Sequence, residues 1–256
     1  MKISEMTLAE VKFLLAEQGT SLAGDVRISL SLDNRVGVQK LYQQLCRQEA
    51  LEVQEEIRLK KLQFYEEDVR RRGYLLVAGI DEAGRGPLAG PVLAAAAVLP
   101  ADVRIRGIND SKKLSSTKRD ELYHEIISKA VAWSVGMSTV EEIDSLNILQ
   151  ASLLAMRRAV QGLNACPDYL LVDAVKIPEI TIPQLAIIKG DGLSVSIAAA
   201  SIIAKVTRDK IMNDLDREYP RYGFGRHKGY GTTEHINALR EYGPSLHHRR
   251  TFIKNL

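Results

Sequence analysis

Asp81 and Glu82 stand side by side in the stretch Gly79-Ile-Asp-Glu-Ala-Gly-Arg-Gly-Pro-Leu-Ala-Gly-Pro-Val92, directly after the apolar run Tyr74-Leu-Leu-Val-Ala78. Two further acids follow apolar runs. Asp173 closes Tyr169-Leu-Leu-Val-Asp173, and Asp191 comes just after Leu185-Ala-Ile-Ile-Lys189-Gly190. Neighbouring strands that each end in an acid would gather these groups at one sheet edge. Like charges so gathered repel, and a proton or a cation must relieve them. Carboxylate oxygens suit Mg²⁺ or Mn²⁺, and two such ions flanking a phosphate can stabilise both the attacking and the leaving oxygen. A single strand-end Asp is more often a turn former or a helix cap; three strand ends with the same acid point to metal chemistry. Adjacent strand residues face opposite ways, so Asp81 and Glu82 can share a site only if the strand finishes there.

The Gly84-Arg85-Gly86 loop that follows lets backbone groups approach a ligand closely. It is not a dinucleotide-binding turn. Its spacing through Gly90 is G-x-G-x-x-x-G, and it leads into a Pro-interrupted strand rather than a helix. A sugar-phosphate beside a metal site fits the loop better. Ser201, Lys205 and Arg208 fall at helical spacing on one face, either a row of nucleic-acid contacts or a solvated face. Asn109-Asp-Ser-Lys-Lys-Leu114 offers Ser111, Lys112 and Lys113 as phosphate contacts or as a surface turn. In His227-Lys-Gly-Tyr-Gly-Thr232, Tyr230 is a candidate for stacking on a base or sugar, or for packing in a turn. From Lys205 to the C-terminus eleven Lys/Arg stand against six Asp/Glu, an excess that suits a polyanionic partner or an ordinary basic surface.

The elements that must position these groups begin near Gly73. Before it, Thr7-Leu-Ala-Glu10 fits a capping box, and residues 36–72 form a charged, helix-favouring stretch with Val38, Leu41, Leu45, Leu59, Leu62 and Tyr65 at helical spacing. Residues 1–72 therefore read as a helical extension. From Gly73 onward strands are expected at 74–81, 92–99, 130–138, 169–173 and 185–189, with helices at 141–162 and 194–218. That order predicts an α/β fold, a mixed five-stranded sheet flanked by helices, over residues 73–256.

Hydrophobic content of 45% beside 26% charged residues is that of a globular protein. The charged N-terminus predicts neither a secretory leader nor a spanning segment. Cys46 and Cys166 lie far apart and form no C-x-x-C pair, so a disulfide framework is not expected and a reducing cytoplasm is.

Taken together, DEAGRGPLAGPV, NDSKKLS, IIKGDGLSVSIAAASIIAKVTRD and HKGYGT followed by HHRRTF resemble, in order, the blocks of the ribonuclease HII family, the bacterial type 2 ribonucleases H. The resemblance covers about residues 73–256. It implies a ribonuclease H-like fold whose C-terminal helical part binds substrate, action as a monomer, and metal-dependent cleavage of RNA paired with DNA. Single ribonucleotides in duplex DNA are included, cut on their 5′ side to leave 3′-hydroxyl and 5′-phosphate ends. By position it implies that Asp81, Glu82, Asp173 and Asp191 bind two Mg²⁺ or Mn²⁺ ions. Gly84, Arg85 and Gly86 would sense the ribose 2′-hydroxyl, Tyr230 would stack on the sugar at the junction, and Ser201, Lys205 and Lys113 would meet the backbone. Ala174 stands where the family more often has Gly, and residues 1–72 exceed the minimal family core. A metal nuclease acting on DNA alone and a non-catalytic nucleic-acid-binding module remain the alternatives.

Overall fold

The computed structural model describes residues 3–18 and 22–255. The chain divides into two compact units, Met1–Lys60 and Lys61–Leu256. In the first, helices α1 (Leu8–Gln18), α2 (Gly24–Leu32) and most of α3 (Val36–Leu62) enclose a small core of Ile3, Met6, Val11, Leu30 and Val38. The expected capping box is present: Thr7 donates its N–H to Glu10 at 2.7 Å, and Glu10 returns its own to Thr7 Oγ1 at 3.3 Å. Two of the four orphaned amides at the start of α1 are thereby satisfied.

The second unit begins at Lys61, ahead of the boundary expected near Gly73. Helix α4 (Phe64–Arg71) accounts for the difference. Its Val69 packs with Val77, Tyr169, Leu171, Ile187 and Ile197. Its Glu66 is buried, and one carboxylate oxygen accepts from Ser194 Oγ at 2.5 Å, Ser196 N at 2.9 Å and Ser196 Oγ at 2.6 Å. A carboxylate placed on the free amides of a helix N-terminus is favoured by hydrogen bonding and by the helix dipole.

Strands β1 (Val77–Ala83), β2 (Val92–Val98), β3 (Ala132–Ser138), β4 (Tyr169–Asp173) and β5 (Gln184–Ile187) form one mixed sheet in the order β3-β2-β1-β4-β5. β1 is antiparallel to β2 and parallel to β4, and β4 is parallel to β5. The remaining helices are α5 (Ser116–Lys129), α6 (Val140–Leu146), α7 (Ile148–Gln161), α8 (Val195–Glu218), α9 (Phe224–His227) and α10 (Thr233–Tyr242). Period-two alternation sorts the two faces. Ala78 and Ile80, with alternate residues of β2, meet Ala151, Ala155 and Met156 of α7. The opposite face lies against α8. A side chain at Gly79 would collide with the Ser196–Ile197 backbone, so glycine sets how closely α8 lies on β1.

Three expected boundaries shift. The single helix expected over 141–162 is two, parted at Asn147, whose φ is +76° and whose side chain caps Leu149 and Gln150. Leu146 and Leu149, on either side of the break, are exposed. The helix expected over 36–72 breaks at Gln63. β1 starts later than Tyr74 and runs past Asp81 to Ala83. Both cysteines are free, and no helix among the described residues is long and apolar enough to cross a membrane.

Candidate active site

Pairing of β1 with β4 stops at Ile80 and Val172, whereas pairing with β2 continues to Ala83. Beyond Ile80 the β4 side of β1 is therefore open. The Glu82 N–H donates to Asp81 Oδ1 at 2.7 Å. This open flank is how two adjacent residues share a site without the strand having ended, contrary to the condition set by strict alternation. Ligand oxygens of Asp81, Glu82 and Asp173 all lie within 4.8 Å of one another. Asp173 is held from β5's side, where its Oδ1 accepts the Gly190 N–H at 2.7 Å.

Asp191 is close by but outside that triad. It sits on a short 3₁₀ turn, Gly190–Gly192, four residues beyond the last residue of β5. Lys112 reaches it at 3.5 Å. The structure thus brings three of the expected acids into one cluster and places the fourth beside it, against a cation.

The electrostatics follow from burial. Asp81 is buried, and desolvation, then the charges of Glu82 and Asp173, hold its carboxyl well above the usual carboxylate range. Burial raises Glu82 as well, opposed by Arg85, which lies 3.3 Å away. Burial and Asp110 raise Asp191, with Lys112 acting the other way. Burial works against the Lys112 charge, but Asp81, Asp191 and Asp110 outweigh it and raise its ammonium. Such a cluster fits a hard divalent cation. Its donors are all carboxylate oxygens, they converge, and their mutual repulsion is what such an ion would remove.

A cleft of about 410 Å³ opens beside the acids, lined by Glu82, Gly84, Arg85, Gly86, Lys112, Ser201, Lys205 and Tyr230 among others. Gly84 has φ +96°, and a side chain there would collide with Arg208. The Tyr230 ring lies 3.7 Å from where a Gly86 side chain would begin. Lys205 is paired with Asp209 at 2.6 Å, and Ser201 is buried and donates to Ser111 Oγ at 2.7 Å.

One expectation needs correction. Arg208 does not belong to a solvent-facing cation row. It is buried, and its guanidinium donates to the carbonyls of Pro91, Lys228 and Ala89 at 3.0, 3.0 and 3.1 Å. Lys113 is exposed and does not line the cleft, whereas its neighbour Lys112 does. The residue that sequence reasoning missed is Arg249. It is fully buried and donates to Gly90 O at 3.0 Å, Arg85 O at 2.9 Å, Gly84 O at 2.5 Å and Pro91 O at 3.3 Å. The only signal for it was its place in the HHRRTF block, because charge patterning does not separate a buried Arg from a solvated one.

Ala174, directly after Asp173, has φ +57°, a left-handed conformation that glycine adopts without penalty. Ala174→Gly is therefore expected to stabilise the fold by about 1 kcal/mol, seen as a melting temperature about 3 °C higher. An unchanged or lower value would show that the turn is not strained.

The comparisons with known proteins agree with this geometry. Residues 78–255 match the family Ribonuclease HII, and residues 7–70 match the Ribonuclease HII N-terminal domain. A ribonuclease HII of Pelotomaculum thermopropionicum is 52% identical over 257 residues, covering 99% of this chain and 96% of that protein. One from Clostridioides difficile is 52% identical over 227 residues, 89% of each chain. The crystal structure of the ribonuclease H2 from Pyrococcus horikoshii superposes with a TM-score of 0.58 at 29% identity, covering 69% of this chain and 93% of that one. Fold and relatives together define a hydrolase of the ribonuclease H class, an RNase H-type endonuclease. Within that class, the chain belongs to the ribonuclease HII family.

Proposed function

We propose that the protein is a divalent-metal-dependent endonuclease that cuts the RNA strand of RNA–DNA hybrids and the 5′ side of single ribonucleotides embedded in duplex DNA. The products are 3′-hydroxyl and 5′-phosphate ends. The observation that carries this reading is the convergence of Asp81, Glu82 and Asp173 within 4.8 Å, beside a cleft lined by the Gly84–Gly86 loop and Tyr230.

In this reading Asp81, Glu82, Asp173 and Asp191 hold the ions, Mg²⁺ or Mn²⁺. When bound, these supply an activated water and neutralise charge on the departing 3′-oxygen. The protein's own part is orientation. Carbonyls of Gly84 and Arg85 point at buried Arg249. In a trans peptide the N–H points opposite to the carbonyl, so the amides of Arg85 and Gly86 point away from Arg249. Two backbone donors on that side of the loop suit the oxygen of a 2′-hydroxyl or a neighbouring phosphate. A site built around that hydroxyl rejects a deoxyribose, because its polar groups would lose their partner. Tyr230 offers an aromatic face for the sugar, and Lys112, Lys205 and Ser201 supply polar contacts along the backbone. Lys113, on the outer side of its turn, would reach only a strand that extends past the cleft.

The test is cleavage of a labelled DNA duplex carrying one ribonucleotide, beside the all-DNA duplex, with Mg²⁺, Mn²⁺ or EDTA. A single metal-dependent cut 5′ of the ribonucleotide, with the control intact, is expected. Equal cutting of both duplexes would indicate a DNA nuclease of the same fold, and no cutting a binding module.

A further inference from the structure

Tyr230 is 46% exposed, so little packing fixes its ring. Its backbone is held instead. The Tyr230 N–H donates to His227 O at 2.9 Å, and its carbonyl accepts from Thr232 N at 2.8 Å. The same carbonyl lies 2.9 Å from His235 Nδ1. His235 Nε2 in turn lies 2.9 Å from His248 Nε2, and His248 Nδ1 accepts the Ser245 N–H at 2.9 Å. Both imidazoles are buried.

The two ends of this chain settle its direction. A carbonyl only accepts, so His235 carries its proton on Nδ1. An amide N–H only donates, so His248 is bare at Nδ1 and protonated at Nε2. Between the rings His248 must therefore donate and His235 accept. Both ends demand the same polarity, with each ring neutral and in a single tautomer. A further proton would set two N–H groups against each other between the rings, or would set the Ser245 N–H against His248 Nδ1, where the Ser245 hydroxyl at 2.8 Å offers an acceptor. Among the described residues no carboxylate is one of the main charges acting on either ring. The groups that face the pair are His227, stacked on His235 at 4.4 Å, then His247, Arg250 and the rings of Tyr222 and Phe224.

We propose that His235 and His248 are positioning residues, a hydrogen-bond relay of fixed direction that holds the Tyr230 peptide and so aims its ring at the substrate sugar. The inference rests on the reading of Tyr230 as a substrate contact. Burial supports the neutral state: it lowers His235, and it carries His248 down to about 4, helped by His235 itself. Lowered histidines contribute stability that is complete above their ordinary value near 6.5 and is lost as pH falls towards the folded-state values. The relay is therefore intact at neutral pH and fails on acidification.

The test uses the full chain and the single-ribonucleotide duplex. Tyr230→Ala is expected to lower kcat/KM about tenfold. His235→Leu should reproduce most of that loss, and Tyr230→Ala combined with His235→Leu should be no worse than Tyr230→Ala alone. His235→Asn, which keeps an N–H at the position of Nδ1, should recover most of the activity. Nitrogen-15 shifts of the parent protein should show His235 protonated at Nδ1 and His248 at Nε2, a readout independent of any variant's folding. A costly Tyr230→Ala beside a silent His235→Leu, full additivity, or the opposite tautomers would overturn the relay alone. A silent Tyr230→Ala would overturn the substrate-contact reading and the relay's role with it.

Discussion

Asp81→Asn is expected to lower metal-dependent cleavage roughly a thousandfold, about 4 kcal/mol in the barrier, while hybrid binding survives. The same substitution should raise the melting temperature in EDTA. Asp81 is buried among like charges that push its carboxyl up, so the folded protein holds a proton there that the unfolded chain gives up near pH 4. Stability from this site is complete below that pH and is lost as pH rises through the raised value. Melting temperatures of the metal-free protein should therefore fall as pH rises above about 4, less steeply in the Asn variant. Adding Mg²⁺ or Mn²⁺ should reverse the fall in the parent. Normal turnover by Asp81→Asn would remove Asp81 from the catalytic set, and a metal-free stability independent of pH would deny the charge repulsion.

Arg249→Met should be the most damaging change outside the acids. The guanidinium is buried, and four loop carbonyls depend on it. Burial lowers its pKa to about 9, aided by the charge of Arg208, which still leaves it cationic at neutral pH. Met fills similar space but leaves the carbonyls of Gly84, Arg85 and Gly90 without this donor, Pro91 keeping its bond from Arg208, at a cost of about 3–5 kcal/mol. A melting temperature lower by about 10 °C is expected. Arg249→Lys should recover little, because one ammonium cannot span the fork that reaches Gly84, Arg85, Gly90 and Pro91. The change should also weaken the preference for the ribonucleotide-bearing duplex over all-DNA, since the carbonyl contacts aim the loop's amides. A variant that melts like the parent and keeps that preference would show that the loop holds its shape unaided.

These two residues mark the boundary of what could be read in advance. Asp81 was legible because acids that follow buried apolar runs are a pattern in one dimension: an apolar run, then a carboxylate, repeated. The sheet was legible for the same reason, since buried runs of strand length separated by helical periodicity leave few arrangements. Helix breaks were less so. Asn147 divides a continuous amphipathic pattern, and the local cap that makes the break favourable does not disturb that pattern.

What the amino-acid order determined by itself is the five strands and the chemical character of the cluster, because periodicity and residue type act locally. Tertiary structure alone decided which cations line the cleft and which brace its loop from beneath. Lys112, not Lys113, faces the acids, and Arg208 and Arg249, indistinguishable in sequence from surface arginines, are buried beneath the loop. The pairing of His235 with His248 likewise joins residues thirteen apart. Such roles depend on which carbonyls and charges the folded chain brings within hydrogen-bond reach, and that distance exists only after the fold has formed.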